Sequence, residues 1–235
     1  MSVWKKITIL ILSFSMVSGF CFFVVNEPIN ISTHSYNKSL SYVIIDAGHG
    51  GFDGGAVVGD VFEKDINLKI ANTLALMLES AGIKVIMTRS GDSSTESDPN
   101  LTISARKKSD MQNRLEIAKN NPNSLYISIH LNKFPLASAN GAQIFYGVKN
   151  ERSSALAENI RSSIVSLIQK ENHRTLKKGT KSTYILYNSP IPTVIVECGF
   201  MSNKAELEQL LSEEYQQKIS FAIFKGIIDF YGCDK

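Results

Sequence analysis

The chain lacks the short signatures that mark the commonest enzyme classes. It has no C-x-x-C pair, and its three cysteines, Cys21, Cys198 and Cys233, are too few and too scattered for a disulfide framework or a structural zinc knuckle. There is no Gly-Lys-Ser/Thr phosphate loop and no G-x-S-x-G elbow, which removes the P-loop nucleotide hydrolases and the serine hydrolases. Excess charge of one sign is also scarce. Lys and Arg number 25 against 22 Asp and Glu, a net charge of +3, and no basic run interleaves with aromatic residues, so nucleic acid is excluded as a partner. No internal repeat is visible. What remains is a chain of 235 residues, 43% hydrophobic and 20% charged. That composition folds rather than stays disordered, and the length suits one domain with a full core.

Lys5 and Lys6 precede a run without charge over residues 7–25, ITILILSFSMVSGFCFFVV. About 20 apolar residues span a bilayer, so the run reads as a signal anchor or a signal peptide. Its length, and an end in Phe22-Phe23-Val24-Val25 without a small-x-small cleavage site, favour the retained anchor. Phe20 stands where a lipobox needs a small residue, which sets aside a lipid on Cys21. The two lysines keep the N-terminus in the cytoplasm and send the remainder outward. Residues 26–41 are polar and read as a linker. The folded domain is expected over residues 42–235.

In that domain short apolar runs alternate with longer amphipathic stretches. Strands are expected at 42–45, 83–88, 125–129, 142–146, 183–186 and 193–196, and helices at 63–80, 104–120, 153–169, 204–211 and 214–231. In the first helix Ile66, Ile70, Leu74 and Leu78 recur at four-residue spacing, and Gly82 follows as a C-cap. The second is expected to turn Met111, Leu115 and Ala118 inward, the third Leu156, Ile160, Ile164 and Leu167. The alternation predicts an α/β fold: a mostly parallel twisted sheet flanked by helices on both faces, one catalytic domain after an N-terminal membrane segment. Sites in such sheets form at the carboxyl ends of the strands.

That rule selects residues. The first strand runs into His49, the strand LYISI into His130 and the strand TVIV into Glu197, while Glu63 opens the first long helix. Of the other histidines, His34 lies in the linker and His173 in the polar stretch ENHRTLKKG. Two imidazoles and one carboxylate, His49, His130 and Glu63, would make a catalytic zinc site with a position open for water. Glu197 would then act as general base, and later as acid to the leaving group. Taken singly, each has a plainer reading: a hydrogen-bonded structural histidine, or a helix-start carboxylate favoured by the macrodipole. Glu197 after four apolar residues is harder to explain structurally, because a carboxylate so placed is costly unless paired or functional. The three ligand candidates match no short zinc signature such as H-E-x-x-H.

The ordered motifs Asp46-Ala47-Gly48-His49-Gly50-Gly51, Glu63-Lys64-Asp65, Thr88-Arg89, Ser128-Ile129-His130-Leu131-Asn132 and Glu197-Cys198-Gly199-Phe200-Met201-Ser202-Asn203 resemble those of the zinc-dependent N-acetylmuramoyl-L-alanine amidases, the amidase-3 family. The resemblance covers about residues 43–231. It implies that His49, Glu63 and His130 ligate zinc and that Glu197 is catalytic. Arg89 would orient Glu197 or a substrate carboxylate, the alternative being a surface ion pair; Asn132 would be a substrate or supporting contact. Leu131 and Cys198 depart from the residues usual in the family, and neither is at a ligand position.

Within the family the chain is most similar to the germination-specific amidases of spore-forming bacteria. The shared features include the N-terminal apolar segment, a domain without wall-binding repeats, and the stretches SARKKSDMQNR, NGAQIFY and FKGIIDFY. This implies cleavage of the bond between the lactyl group of N-acetylmuramic acid and L-alanine in spore-cortex peptidoglycan. A muramic acid deacetylase would act next, giving muramic-δ-lactam. The resemblance also implies a lipoprotein partner, and the N-terminal apolar run implies an extracytoplasmic domain, tethered to the membrane or secreted, in the forespore intermembrane space. The rival readings are a non-catalytic peptidoglycan-binding module and a zinc peptidase with another secreted substrate.

Overall fold

The β-branched run Tyr42–Ala47 forms the first strand, β1, buried from Val43 onward on both faces, as a central parallel strand must be. The structure, a computed structural model, describes residues 42–96 and 98–232. The expected membrane run 7–25 and linker 26–41 lie outside the described residues. Among the described residues no helix is long and apolar enough to cross a membrane.

After β1 come a small hairpin, β2 (Val57–Val58) and β3 (Val61–Phe62), and helix α1 (Glu63–Ser80). Then follow β4 (Val85–Met87), α2 (Ile103–Asn120), β5 (Ser124–Asn132), β6 (Gln143–Tyr146), α3 (Arg152–Leu167), β7 (Lys177–Lys178), α4 (Tyr184–Asn188), β8 (Thr193–Phe200), α5 (Lys204–Leu211) and α6 (Glu213–Gly232). The main sheet has the order β4-β1-β5-β8-β6-β7. β4, β1, β5 and β8 run parallel, and β6 joins β8 antiparallel.

Alternation along the strands splits the core in two. Val43, Ile45, Leu125, Ile127 and Ile129 face one side, where the apolar stripes of α1, α3 and α6 cover them. Ile44 and Tyr126 face the other side and pack with Leu115 and Ala118 of α2 and Ile185 of α4. Helices therefore lie on both faces of a mostly parallel sheet, as the sequence pattern predicts.

Three expectations are corrected. Residues 183–186 are not a strand; Tyr184–Asn188 is a short helix. Both edges of β8 are already paired, with β5 and β6, so this run has no ladder to join there and caps the second core instead. Its four apolar residues carry no period that separates helix from strand. Met111 points outward at 40% exposure, because Asp110, Arg114 and Ala118 hold the buried stripe of α2. Leu167, at the last turn of α3, is also exposed.

Candidate active site

β1, β5 and β8 end at one edge, and the register sets their ends side by side: Ala47 opposite Ile129, and His130 opposite Glu197. Past β1 the chain turns across that edge through Gly48 and His49. His49 has φ 61, a left-handed conformation costly for a side chain with a Cβ. A Cβ on Gly48 would lie 2.3 Å from the His130 ring, so glycine lets the loop pass the second imidazole. Gly55, at φ 69, plays the same part against Glu63, whose Oε2 would be 2.6 Å from an added Cβ.

Glu63 is the first residue of α1, where the helix dipole favours an anion. It is 3% exposed. Its Oε2 accepts from the Ala56 N–H at 2.8 Å, and its Oε1 from the Leu131 N–H at 3.0 Å and from Asn67 Nδ2 at 3.2 Å. Each oxygen also faces an imidazole: His49 Nε2 is 3.2 Å from Oε2, and His130 Nδ1 is 3.1 Å from Oε1. The two rings stand edge to face with centroids 4.9 Å apart. One ligand atom from each of His49, Glu63 and His130 lies within 4.8 Å of the others. Asp53 Oδ2 sits 2.9 Å from His49 Nδ1 and fixes that ring from behind.

The charges follow this geometry. Burial pushes the Glu63 carboxyl upward, but the two histidines outweigh it and hold the group far below the usual carboxylate range. Burial pulls His49 down, and the hydrogen bonds to Asp53 and Glu63 outweigh that and raise it to about 9. Glu197 goes the other way. Burial dominates and pushes it up to about 7, partly offset by His130. Its Oε2 is shielded from solvent and has no hydrogen-bond partner.

Arg89 is 4% exposed and is neither a partner of Glu197 nor part of a surface ion pair. Its guanidinium donates to the carbonyls of Ala47 (2.8 Å), Gly48 (3.0 Å), Lys64 (2.8 Å) and Gly91 (3.0 Å). It ties the glycine loop to the start of α1 by satisfying carbonyls that the turn leaves without a ladder. Asn132 ends β5 in the lining of a groove, and its carbonyl accepts from the Met201 N–H at 2.7 Å.

Sequence reasoning missed Arg114. This residue of α2 is 3% exposed and donates through Nη2 to the His49 carbonyl at 2.8 Å and through Nη1 to the Ala47 carbonyl at 3.0 Å. Nη1 also meets Asp46 Oδ1, and Nε donates to Asp110 Oδ2 at 2.8 Å. Asp46, 2% exposed, accepts from Ser128 Oγ at 2.6 Å and Thr88 Oγ1 at 2.8 Å. A signal was present: Asp110, Arg114 and Ala118 recur every four residues, which puts a charged pair on the buried stripe of the helix.

The Asp46–Arg114 pair makes a measurable prediction. Burial pushes the Asp46 carboxyl up, but Arg114 and the Ser128 hydroxyl prevail and hold it at about 2. A depressed folded-state pKa gives stability that is present above the unfolded value near 3.9 and is lost as pH falls towards 2. Asp46→Asn should destabilise the fold by about 3 kcal/mol at pH 7, because Arg114 loses a buried partner. In urea titrations that gap should narrow by about 1 kcal/mol on going to pH 3. A gap that stays constant with pH would sink this account of the pair.

An α/β domain that gathers two histidines, a buried carboxylate and a second, desolvated carboxylate at the carboxyl edge of its sheet has the groups of a hydrolase that activates water. The amidase-3 model, described as N-acetylmuramoyl-L-alanine amidase, matches residues 43–229. The chain belongs to this family and is an amidase of peptidoglycan. It is 36% identical to the germination-specific N-acetylmuramoyl-L-alanine amidase of Bacillus subtilis, over 80% of this chain and 79% of that protein. Among solved structures, the CwlD amidase from Clostridioides difficile, in complex with the GerS lipoprotein, superposes with a TM-score of 0.79 at 38% identity, covering 83% of this chain and all of that one. The amidase AmiC2 of Nostoc punctiforme gives a TM-score of 0.69 at 32% identity, over 82% of this chain and 97% of that one.

Proposed function

We propose that the chain is a zinc-dependent amidase of spore-cortex peptidoglycan, cutting between the lactyl group of N-acetylmuramic acid and the L-alanine of the stem peptide. One observation carries the reading: the His49, Glu63 and His130 cluster stands beside Glu197, whose Oε2 is shielded from solvent and has no hydrogen-bond partner. The donor set fits zinc, which takes two imidazole nitrogens and a carboxylate and keeps a position open in catalytic sites. Asp53 accepts from Nδ1 of His49 and so leaves Nε2 for the metal. Gly48 and Gly55 keep the space among the three side chains clear.

When bound, zinc supplies Lewis acidity to a carbonyl oxygen and to water. Glu197, with a pKa near 7, accepts the proton of the attacking water and passes it to the nitrogen of L-alanine as that amine leaves. Arg89 and Arg114 hold the loop that carries His49, so the imidazole is in place before substrate arrives.

The cortex assignment draws on the likeness to the germination-specific amidase. A lipoprotein partner is proposed because the CwlD amidase was solved with one. Residues 7–25 would anchor the chain in the membrane. The polar stretch 26–41 would tether the domain outside that membrane, in the forespore intermembrane space. The product, muramic acid without its peptide, would pass to a deacetylase. Muropeptide mass spectrometry of spores with and without the chain tests this. Deletion should abolish muramic-δ-lactam while vegetative walls stay unchanged. Ordinary amounts of the lactam in the deletion strain would reject the cortex assignment and leave the amidase chemistry standing.

A further inference from the structure

Next to Glu197 across the sheet lies a groove of roughly 530 Å³ whose lining includes Asn132, Gln143, Phe200, Arg174 and Lys177. Sheet register fixes one end of it. Gln143 is opposite Glu197 across β6 and β8, and Asn132 is opposite Phe200 across β5 and β8. Opposed residues point to the same face, so the groove begins next to the carboxylate that moves the proton. Gln143 Nε2 donates to the Thr175 carbonyl at 2.6 Å, which ties the segment that carries Arg174 to β6.

Arg174 is fixed in place. Its backbone N–H donates to Asn172 Oδ1 at 3.0 Å, its Nε donates to the Asn140 carbonyl at 2.7 Å, and its guanidinium carbon lies 4.5 Å above the Phe200 ring. These contacts use Nε and the flat face. They leave Nη1 and Nη2 for another ligand, and these are the atoms that grip a carboxylate. Among the described residues neither Arg174 nor Lys177 forms an ion pair, although one acidic side chain, the exposed Glu171, lines the groove. Lys177 Nζ stands 5.6 Å from the Phe145 ring, a second cation in the lining of the groove.

Stem peptides carry free carboxylates on the residues that follow the first alanine. We propose that this groove receives the stem peptide and that Arg174, aided by Lys177, binds one of those carboxylates. The assignment rests on the amidase reading above. It makes Arg174 and Lys177 specificity residues, because they touch the peptide away from the bond that breaks.

The test uses the full-length, zinc-loaded chain and two synthetic muramoyl tripeptides, one with free carboxylates and one with each converted to a primary amide. On the free-acid substrate Arg174→Ala should raise KM about tenfold with kcat nearly unchanged, the loss of a hydrogen bond to a charged group. On the amide substrate wild type and variant should differ little. Arg174→Lys should restore only part of the loss, since a point charge replaces a fork. Lys177→Ala, at an exposed position where folding is not at stake, should raise KM about twofold to threefold on the free acid alone. Equal losses on both substrates, no loss on either, or loss confined to capture of a lipoprotein would overturn the proposal. Should wild type cleave neither substrate, the amidase reading fails, and calorimetry with the free tripeptide still decides the subsite. Binding about tenfold weaker to Arg174→Ala supports it, and equal binding overturns it.

Discussion

Glu197→Gln is expected to lower the rate of peptidoglycan hydrolysis by about 10²–10⁴-fold, the usual contribution of a general acid–base group, with zinc content unchanged. The substitution keeps size and hydrogen-bonding shape and removes only the ionisable proton site. It should also leave the protein more stable. Glu197 has a shielded oxygen without a partner, and burial raises its pKa to about 7. A carboxyl whose folded-state pKa lies above its unfolded value destabilises the fold increasingly as pH rises from near 4.3 to about 7. Glutamine removes that penalty, so the metal-free variant should gain on the order of 1–3 kcal/mol at pH 8 and little at pH 4. Rate assays on purified cortex fragments and thermal unfolding at both pH values check the pair of effects. Near-normal turnover in a folded, zinc-loaded variant would remove Glu197 from the proton path. A drop in stability at pH 8 would show that its carboxylate holds the fold rather than strains it.

The gathering of His49, Glu63, His130 and Glu197 at one sheet edge was legible because topology does what a short motif does elsewhere. His49, His130 and Glu197 are far apart in sequence, but each follows an apolar run, and parallel strands bring such ends to one edge. Glu63 was legible as the opening of a strongly periodic helix. The residues that hold these in place were not. Arg89 and Arg114 act on backbone carbonyls of the loop from Ala47 to His49 and of α1, and a bond to a carbonyl leaves no mark in the sequence of its acceptor. The left-handed conformation of His49 was hidden among flanking glycines that suggested freedom at their own positions instead. The short helix Tyr184–Asn188 was misread because its apolar run is shorter than the period needed to classify it, and the neighbours of β8 decided the matter.

His130→Ala and Glu63→Gln should each abolish high-affinity zinc binding and activity together, though the two fail for different reasons. Alanine at 130 removes one imidazole and leaves Glu63 with its backbone donors and His49. Glutamine at 63 keeps the volume but replaces an acceptor pair with one acceptor and one donor. Glu63 Oε2 accepts from the Ala56 N–H and Oε1 from the Leu131 N–H, so either orientation of the amide sets an NH₂ group against an N–H. That buried mismatch should cost about 1–3 kcal/mol in the metal-free protein, whereas His130→Ala, at a half-buried position, should cost less. Zinc separates the effects further. A ligand that binds only the folded state at about 1,000 times its Kd stabilises by about 4.1 kcal/mol, and for a domain of this size each kcal/mol shifts Tm by about 2–4 °C. Wild type should therefore gain roughly 8–16 °C on addition of zinc, and both variants close to nothing. Because a metal must displace protons held among His49, Glu63 and Asp53, binding to wild type should release protons into the buffer, which calorimetry in buffers of different ionisation enthalpy measures. A full zinc-induced shift in His130→Ala would take that residue out of the ligand set, and the same result in Glu63→Gln would reduce the glutamate to a holder of the two histidines.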